Sequence, residues 1–339
     1  MRPSLSIVIA AYQAEATLQE AIRSALQVPL AAEVIVVNDG STDGTARILE
    51  EFGPQVRAYH HDNRGAARSR TRGGRLAREE WLLFLDADDL LLREGLEALW
   101  EKAQEGEAGV VYGGVAGEGR KSRDHLRFHT GAVGPAPWPA QALFWKNLIA
   151  APGCALVRKS LFERVGGFSK DQPSDDRQFW LRCGVLGDFA ALEVPVLRKR
   201  LQPGSVSHQR DRSIFHQYWY LLDFLDWCSA QGVDPEQFGT TKQEIVETGL
   251  CHALEERALQ AFTALLSLSR VEGYQSRTVA NFWRWRWLAQ LAPGWMRKRW
   301  GTRKQPVRFG RPMAEVRETV RLAARTDSAS SLRSSSSLS

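Results

Sequence analysis

The sequence predicts an α/β fold, a mainly parallel sheet flanked by helices and followed by a helical C-terminal extension. Three observations lead there. Strand and helix patterns alternate over residues 5–115, the strand segments are nearly continuous apolar runs, and several of them end in polar residues. Alternation implies crossover connections, hence parallel strands with helices on both faces. Strands buried on both faces read as unbroken apolar runs.

Leu5-Ser-Ile-Val-Ile-Ala-Ala11 is the first such run. Leu18, Ala21, Ile22, Ala25 and Leu26 follow at helical spacing. Val34–Val37 is a second buried strand, and Asn38–Thr42 is a turn-and-cap cluster leading into a helix over Thr45–Phe52. A weaker strand over Val56–His60 precedes a basic helix over Ala66–Ala77. Trp81–Leu85 is the third strong strand, Leu90–Gln104 is helical and Gly109–Val115 is strand. Residues 116–212 are less regular: Ala155–Arg158 is a strand, Arg177–Val185 a helix, and Phe189–Lys199 one or two strands. Ile214–Arg270 turns helical, and the Ser-rich stretch Asp327–Ser339 lacks the apolar surface to offset ordering, so a disordered tail is expected. The expected division is 1–212, 213–325 and 326–339.

Composition narrows the classes. The chain has 339 residues, 43% hydrophobic and 25% charged, which excludes wholesale disorder. Its longest apolar runs fall far short of the roughly 18–20 residues that cross a bilayer. No cleaved secretory signal is expected at the start. Cys154, Cys183, Cys228 and Cys251 show no paired spacing, which argues against a disulfide framework or zinc site and for a reducing, cytoplasmic compartment. The net charge of +6 is local in origin: ten Lys or Arg and no acid lie between Glu272 and Glu315.

Ligands of open α/β sheets bind at the carboxyl ends of strands. Tyr12, Asp39 and the group Asp86, Asp88 and Asp89 fall at such ends. Three carboxylates within four residues repel one another unless a cation sits among them, and hard divalent cations take such oxygen ligands. A solvated turn with an Asp helix cap is the competing reading.

Four blocks, Ser6-Ile-Val-Ile-Ala-Ala-Tyr12, Val36-Val-Asn-Asp-Gly-Ser-Thr-Asp43, Asn63-Arg-Gly-Ala-Ala-Arg-Ser-Arg70 and Phe84-Leu-Asp-Ala-Asp-Asp89, occur in an order and spacing that resembles the family 2 glycosyltransferases. The likeness continues through Gly166-Gly-Phe168 and Asp175-Asp-Arg-Gln-Phe-Trp-Leu-Arg182. It implies the GT-A fold, a Rossmann-like nucleotide-diphospho-sugar domain, and inverting transfer from a nucleotide sugar, of UDP-sugar type, to an acceptor hydroxyl. By that resemblance Ala11 and Tyr12 meet the base, Asp39 bonds its edge, and Arg70 lies near the nucleotide. Asp86 contacts ribose or the metal, Asp88 ligates a Mg²⁺ or Mn²⁺ ion, Asp176 is the catalytic base, and Asp175 orients the acceptor. Asp89 either completes the acidic group or caps the next helix. The family often has His where Arg200-Leu-Gln-Pro-Gly-Ser205 places Gln202, a neutral and weaker ligand that still bonds phosphate oxygens.

Phe282-Trp-Arg-Trp-Arg-Trp-Leu288 and Trp295-Met-Arg-Lys-Arg-Trp300 mix interfacial tryptophans with cations. Residues 282–304 either dock peripherally on the cytoplasmic membrane face or pack their rings on the helical extension with arginines turned outward; nucleic acid is not the expected partner. The expected partners are a nucleotide-sugar donor and a saccharide or lipid-linked acceptor of surface polysaccharide or glycolipid synthesis. A catalytically silent sugar-nucleotide-binding or scaffold protein is the alternative, supported by Gln202 alone. A nucleotidyltransferase would show a Gly-rich loop after the first strand, and Ala10-Ala-Tyr-Gln-Ala-Glu15 has no glycine.

Overall fold

The computed structural model describes residues 5–117, 133–136, 138–145, 148–169, 175–200, 210–256 and 258–271. The chain divides into two compact units, Met1–Ser205 and Val206–Ser339. In the first, β1 (Leu5–Ala11), β2 (Ala31–Asp39), β3 (Arg57–His61) and β4 (Trp81–Asp86) alternate with α1 (Leu18–Leu26), α2 (Thr45–Phe52) and α3 (Ala66–Leu76). There follow β5 (Leu90–Leu91), α4 (Arg93–Gln104), β6 (Val110–Gly117), α5 (Trp138–Trp145), β7 (Ala155–Arg158), α6 (Lys159–Val165), α7 (Asp175–Leu186) and β8 (Phe189–Lys199).

The strands form one sheet in the order β3-β2-β1-β4-β7-β6-β8-β5. β1 is parallel to β2 and β4, β2 to β3, and β6 to β8. β7 runs against β4 and β6, and β5 against β8. The sheet is thus mainly parallel, as expected, with two reversed strands that no periodicity announces. Ile7, Val8, Ile9, Ile35, Val36, Leu83 and Phe84 are fully buried although neighbours along a strand point to opposite faces. Helices therefore cover both sides, which is why these runs carry no polar alternation.

Two local expectations are corrected and a third is narrowed from its two alternatives to one. Leu90 and Leu91 are strand, because they pair with Arg198 and Leu197 of β8; the helix begins only at Arg93. α5 forms in a stretch read as irregular. Phe189–Lys199 is a single strand despite Pro195, which faces Gly114 where the β6–β8 register shifts. A bulge of this kind is where a proline without an N–H fits. α4 lies so close to this strand that a Cβ at Gly95 would stand 1.9 Å from the Pro195 carbonyl oxygen.

At the amino end of the sheet, Glu33 of β2 is clamped. It accepts from the Ser6 hydroxyl and the Arg78 N–H, both at 2.6 Å, and pairs with Arg57. Burial pushes its carboxyl upward, but these hydrogen bonds and the guanidinium outweigh burial and hold it below the usual 4.5. A depressed acid stabilises the fold above its unfolded value, and the contribution fades as pH falls below 4.5 through the lowered one. Glu33→Gln is therefore expected to cost about 1–3 kcal/mol at neutral pH. Urea unfolding at pH 7 and near pH 3 should show that difference shrinking in acid.

In the second unit, α8 (Arg210–Ala230), α9 (Lys242–Glu255) and α10 (Leu259–Val271) pack on one another around Phe224, Leu225, Val246, Leu250 and Leu265. The Tyr218 hydroxyl meets His252 Nδ1 at 3.0 Å. Among the described residues no helix is long and apolar enough to cross a membrane.

Candidate active site

Register places the predicted residues along one edge. Ala10 is level with Val37 and with Asp86, Ala11 with Asn38, and Asp39 with His61. From β1 the chain builds outward to β2 and β3, then returns to add β4 on the other side of β1. That reversal is a topological switch point, and the carboxyl ends beside such a point are the usual ligand position in these sheets.

β1 ends in residues of opposite character. Ala11 is buried, whereas Tyr12 is 53% exposed. A core role for Tyr12 is thereby excluded. The next residue, Gln13, has φ 49°, the only non-glycine with positive φ among the described residues. Its side chain takes the N–H groups of Thr42 and Asp43 at 2.8 and 3.3 Å, and its own N–H donates to Ser41 Oγ at 3.0 Å. The Glu15 N–H donates to Asp43, and the Gly44 N–H to Glu15. These bonds lace the loop after β1 to the loop after β2, and such a lattice is what maintains an unfavourable backbone angle.

Asp39, at the end of β2, is 3% exposed. Its two oxygens accept the Arg64 and Gly65 N–H groups at 2.8 and 2.9 Å, and His61 Nδ1 lies 3.4 Å away. His61 in turn meets Ser69 Oγ at 3.1 Å. The carboxylate thus closes the β3–α3 loop, and a base edge would share oxygens already bonded to it. Gly40 is needed beside it: its φ is 71°, and a Cβ would sit 2.6 Å from the Asn63 nitrogen.

The acidic cluster follows β4. Carboxylate oxygens of Asp86, Asp88 and Asp89 lie within 4.8 Å of one another. Arg70 of α3 donates to Asp86 Oδ1 at 2.6 Å. Asp89 is 1% exposed; one oxygen takes the Arg200 N–H at 3.2 Å and the other is buried with no hydrogen-bond partner. Burial first, then the charge of Asp86, raises Asp88 and carries Asp89 to about 7. Buried like charges with an unsatisfied oxygen are strained in isolation and fit a hard divalent cation well.

Asp176 lies in the first turn of α7, half-buried, with its Oδ1 accepting the Arg177 N–H at 2.8 Å. Asp175 opens the same helix; its side chain lies outside the described set, as do Gln202 and residues 282–304. One turn on, Phe179 stacks on Phe168 with centroids 4.3 Å apart. Phe168 meets Phe84 of β4 edge-on at 4.8 Å, and the Arg70 guanidinium covers its ring at 5.5 Å. Thr71 Oγ1 fixes the Phe168 backbone by taking its N–H at 3.0 Å. A dry aromatic block therefore joins the helix bearing Asp176 to the strand bearing Asp86. Phe168→Ala is expected to cost about 3–5 kcal/mol, read as a lower urea midpoint of the first unit.

Residues 6–166 match the family model described as glycosyl transferase family 2. Over that segment the chain is similar to the family 2 glycosyltransferases. It is 30% identical over 191 residues to glycosyltransferase GlyG of Streptococcus pneumoniae, an alignment that covers 52% of this chain and 63% of that one, so the match spans less than two thirds of that relative. Among solved structures, S. aureus TarS 1–349 in complex with UDP-GlcNAc is 16% identical with a TM-score of 0.55, covering 88% of this chain and 91% of that one. A mannosyltransferase from Pyrobaculum calidifontis in complex with GDP-Man and Mn²⁺ is 20% identical with a TM-score of 0.51, covering 89% and 84%. The fold is shared with both, the GT-A arrangement that the motifs implied.

Within this unit, sequence reasoning missed two features. Gln13 gave no signal, since a polar residue after a strand is unremarkable. Phe168 was read only as part of a motif, and nothing in a lone Phe after two glycines says that it stacks on a helix eleven residues later.

Proposed function

We propose that this domain transfers a sugar from a nucleotide-sugar donor of UDP-sugar type to an acceptor hydroxyl, with inversion at the anomeric carbon. The observation that carries the proposal is the acidic cluster at the switch point of the sheet, with a buried Asp89 oxygen that lacks a partner. UDP-GlcNAc and GDP-Man in the two neighbouring structures support a nucleotide-sugar donor. Asp88 and Asp86 would hold Mg²⁺ or Mn²⁺, with Asp89 in reach. Such an ion neutralises charge on a departing diphosphate.

The protein's own groups supply the rest. Tyr12 offers a ring face to the base at low ordering cost, and Asp39 offers its edge an acceptor. Arg70 screens Asp86 beside the diphosphate, and the Gln202 amide would bond a phosphate oxygen. Asp176 takes the proton from the acceptor hydroxyl as that oxygen attacks opposite the leaving group, which inverts the centre as in one-step glycosidases. Asp175 orients the acceptor. The acceptor is a saccharide or lipid-linked hydroxyl of surface polysaccharide or glycolipid synthesis. Residues 282–304 supply peripheral contact with the membrane carrying it.

Thermal unfolding with a panel of nucleotide sugars and Mn²⁺ tests this reading. A ligand at about a hundred times its Kd stabilises by about 2.7 kcal/mol, so at least one UDP-sugar should raise Tm by several degrees only when the metal is present. A panel in which no nucleotide sugar raises Tm sinks the proposal.

A further inference from the structure

From Asn63 to Arg78 the chain holds six arginines and no acid. Arg70 turns inward to Asp86, whereas Arg64, Arg68, Arg72 and Arg75 are exposed at steps of four, four and three residues. Within α3, Arg68, Arg72 and Arg75 are like charges at helical spacing, which cost a few tenths of a kcal/mol per pair. The exposed arginines, Arg64 included, line a groove of about 550 Å³ together with His61, Thr71 and Leu76, and among the described residues no carboxylate lines it. The groove starts at the β3–α3 loop, where the Arg64 N–H holds Asp39, and runs along α3. Arg72 is fixed in place: it donates to the His60 carbonyl at 3.1 Å and lies over the Tyr59 ring at 5.7 Å.

We propose that this arginine groove docks a linear anionic saccharide, the acceptor chain of the reaction proposed above, on which this identification rests. Its cations are all arginine, whose planar fork grips carboxylate or phosphate bidentately, where lysine would supply only a point charge. The groove lacks the apolar anchor that charge-driven membrane binding needs, since the exposed large hydrophobic residues described, Tyr12, Leu26, Val133 and Trp138, lie elsewhere. Single-stranded nucleic acid calls for open aromatic platforms, and the Tyr59 ring is already covered by Arg57 and Arg72.

The test is equilibrium binding of the full chain to an oligogalacturonate, with neutral dextran, phosphatidylglycerol vesicles and oligo-dT as comparison probes. Oligogalacturonate should bind, weaken with salt, and lose about tenfold or more in affinity in R68Q/R72Q/R75Q. Dextran should not bind. The triple variant should keep its metal-dependent Tm rise with the donor, since none of these side chains is placed at the nucleotide. Oligogalacturonate affinity unchanged by the triple substitution, or binding only to vesicles or oligo-dT, overturns the proposal. Donor binding read in parallel separates the two failures: a chain that grips the oligosaccharide but no nucleotide sugar refutes the transferase reading and leaves the groove standing.

Discussion

Asp176→Asn is expected to slow sugar transfer by about 10²- to 10⁴-fold, the usual worth of a positioned general base. The substitution keeps shape and hydrogen-bonding capacity at the first turn of α7, so donor affinity should stay within about twofold while kcat falls. The aromatic contacts of Phe179 with Phe168 are untouched, and Tm should not move. Single-turnover transfer with saturating donor, alongside calorimetric donor binding, checks both halves. Near-normal turnover would remove Asp176 from the base role and direct attention to Asp175. A parallel loss of donor affinity would mean that the carboxylate serves binding instead.

The second large effect is expected at Asp88. Asp88→Ala should weaken donor binding in Mn²⁺ by at least about tenfold, because oxygen ligands of a hard cation are not replaced by a methyl group. Stability should move the other way. Burial and the charge of Asp86 raise the Asp88 carboxyl above its usual 3.8. An acid so raised subtracts from stability once ionised, a cost that vanishes as pH falls toward the unfolded value. At neutral pH the ligand-free variant should therefore be at least as stable as the parent, and the advantage should narrow in acid. Weaker binding with firmer folding is the signature of residues kept for chemistry against the interest of the fold. Unchanged donor affinity in Mn²⁺ would place the ligand elsewhere.

What the sequence made legible follows from how each feature is encoded. β1, β2 and β4 were readable because strands buried on both faces leave unbroken apolar runs, and their polar ends stand out against such runs. β5 was not, since Leu90 and Leu91 become strand only by pairing with β8; β7 was read as a strand over Ala155–Arg158, but its reversed direction was not. α5 lies in a proline-bearing stretch whose helicity comes from packing on α7. At the site, the acidic cluster announced itself by charge density. The second occupation of Asp39 did not, because its bonds are to backbone N–H groups of a loop twenty-five residues away. Backbone partners leave no trace in residue identity.

The hydrogen bonds between Gln13, Glu15 and the 41–44 loop bear on the rate and the entropy of donor capture. Loops already fastened together lose little freedom when a nucleotide arrives, so little of its contact energy is spent on ordering them. Association should then run at the speed of diffusional encounter and not wait on a slow closure of these two segments. Cutting the fastening, as in Gln13→Ala, would surface first as a slower on-rate and a larger entropic penalty, with the chemical step at Asp176 left intact.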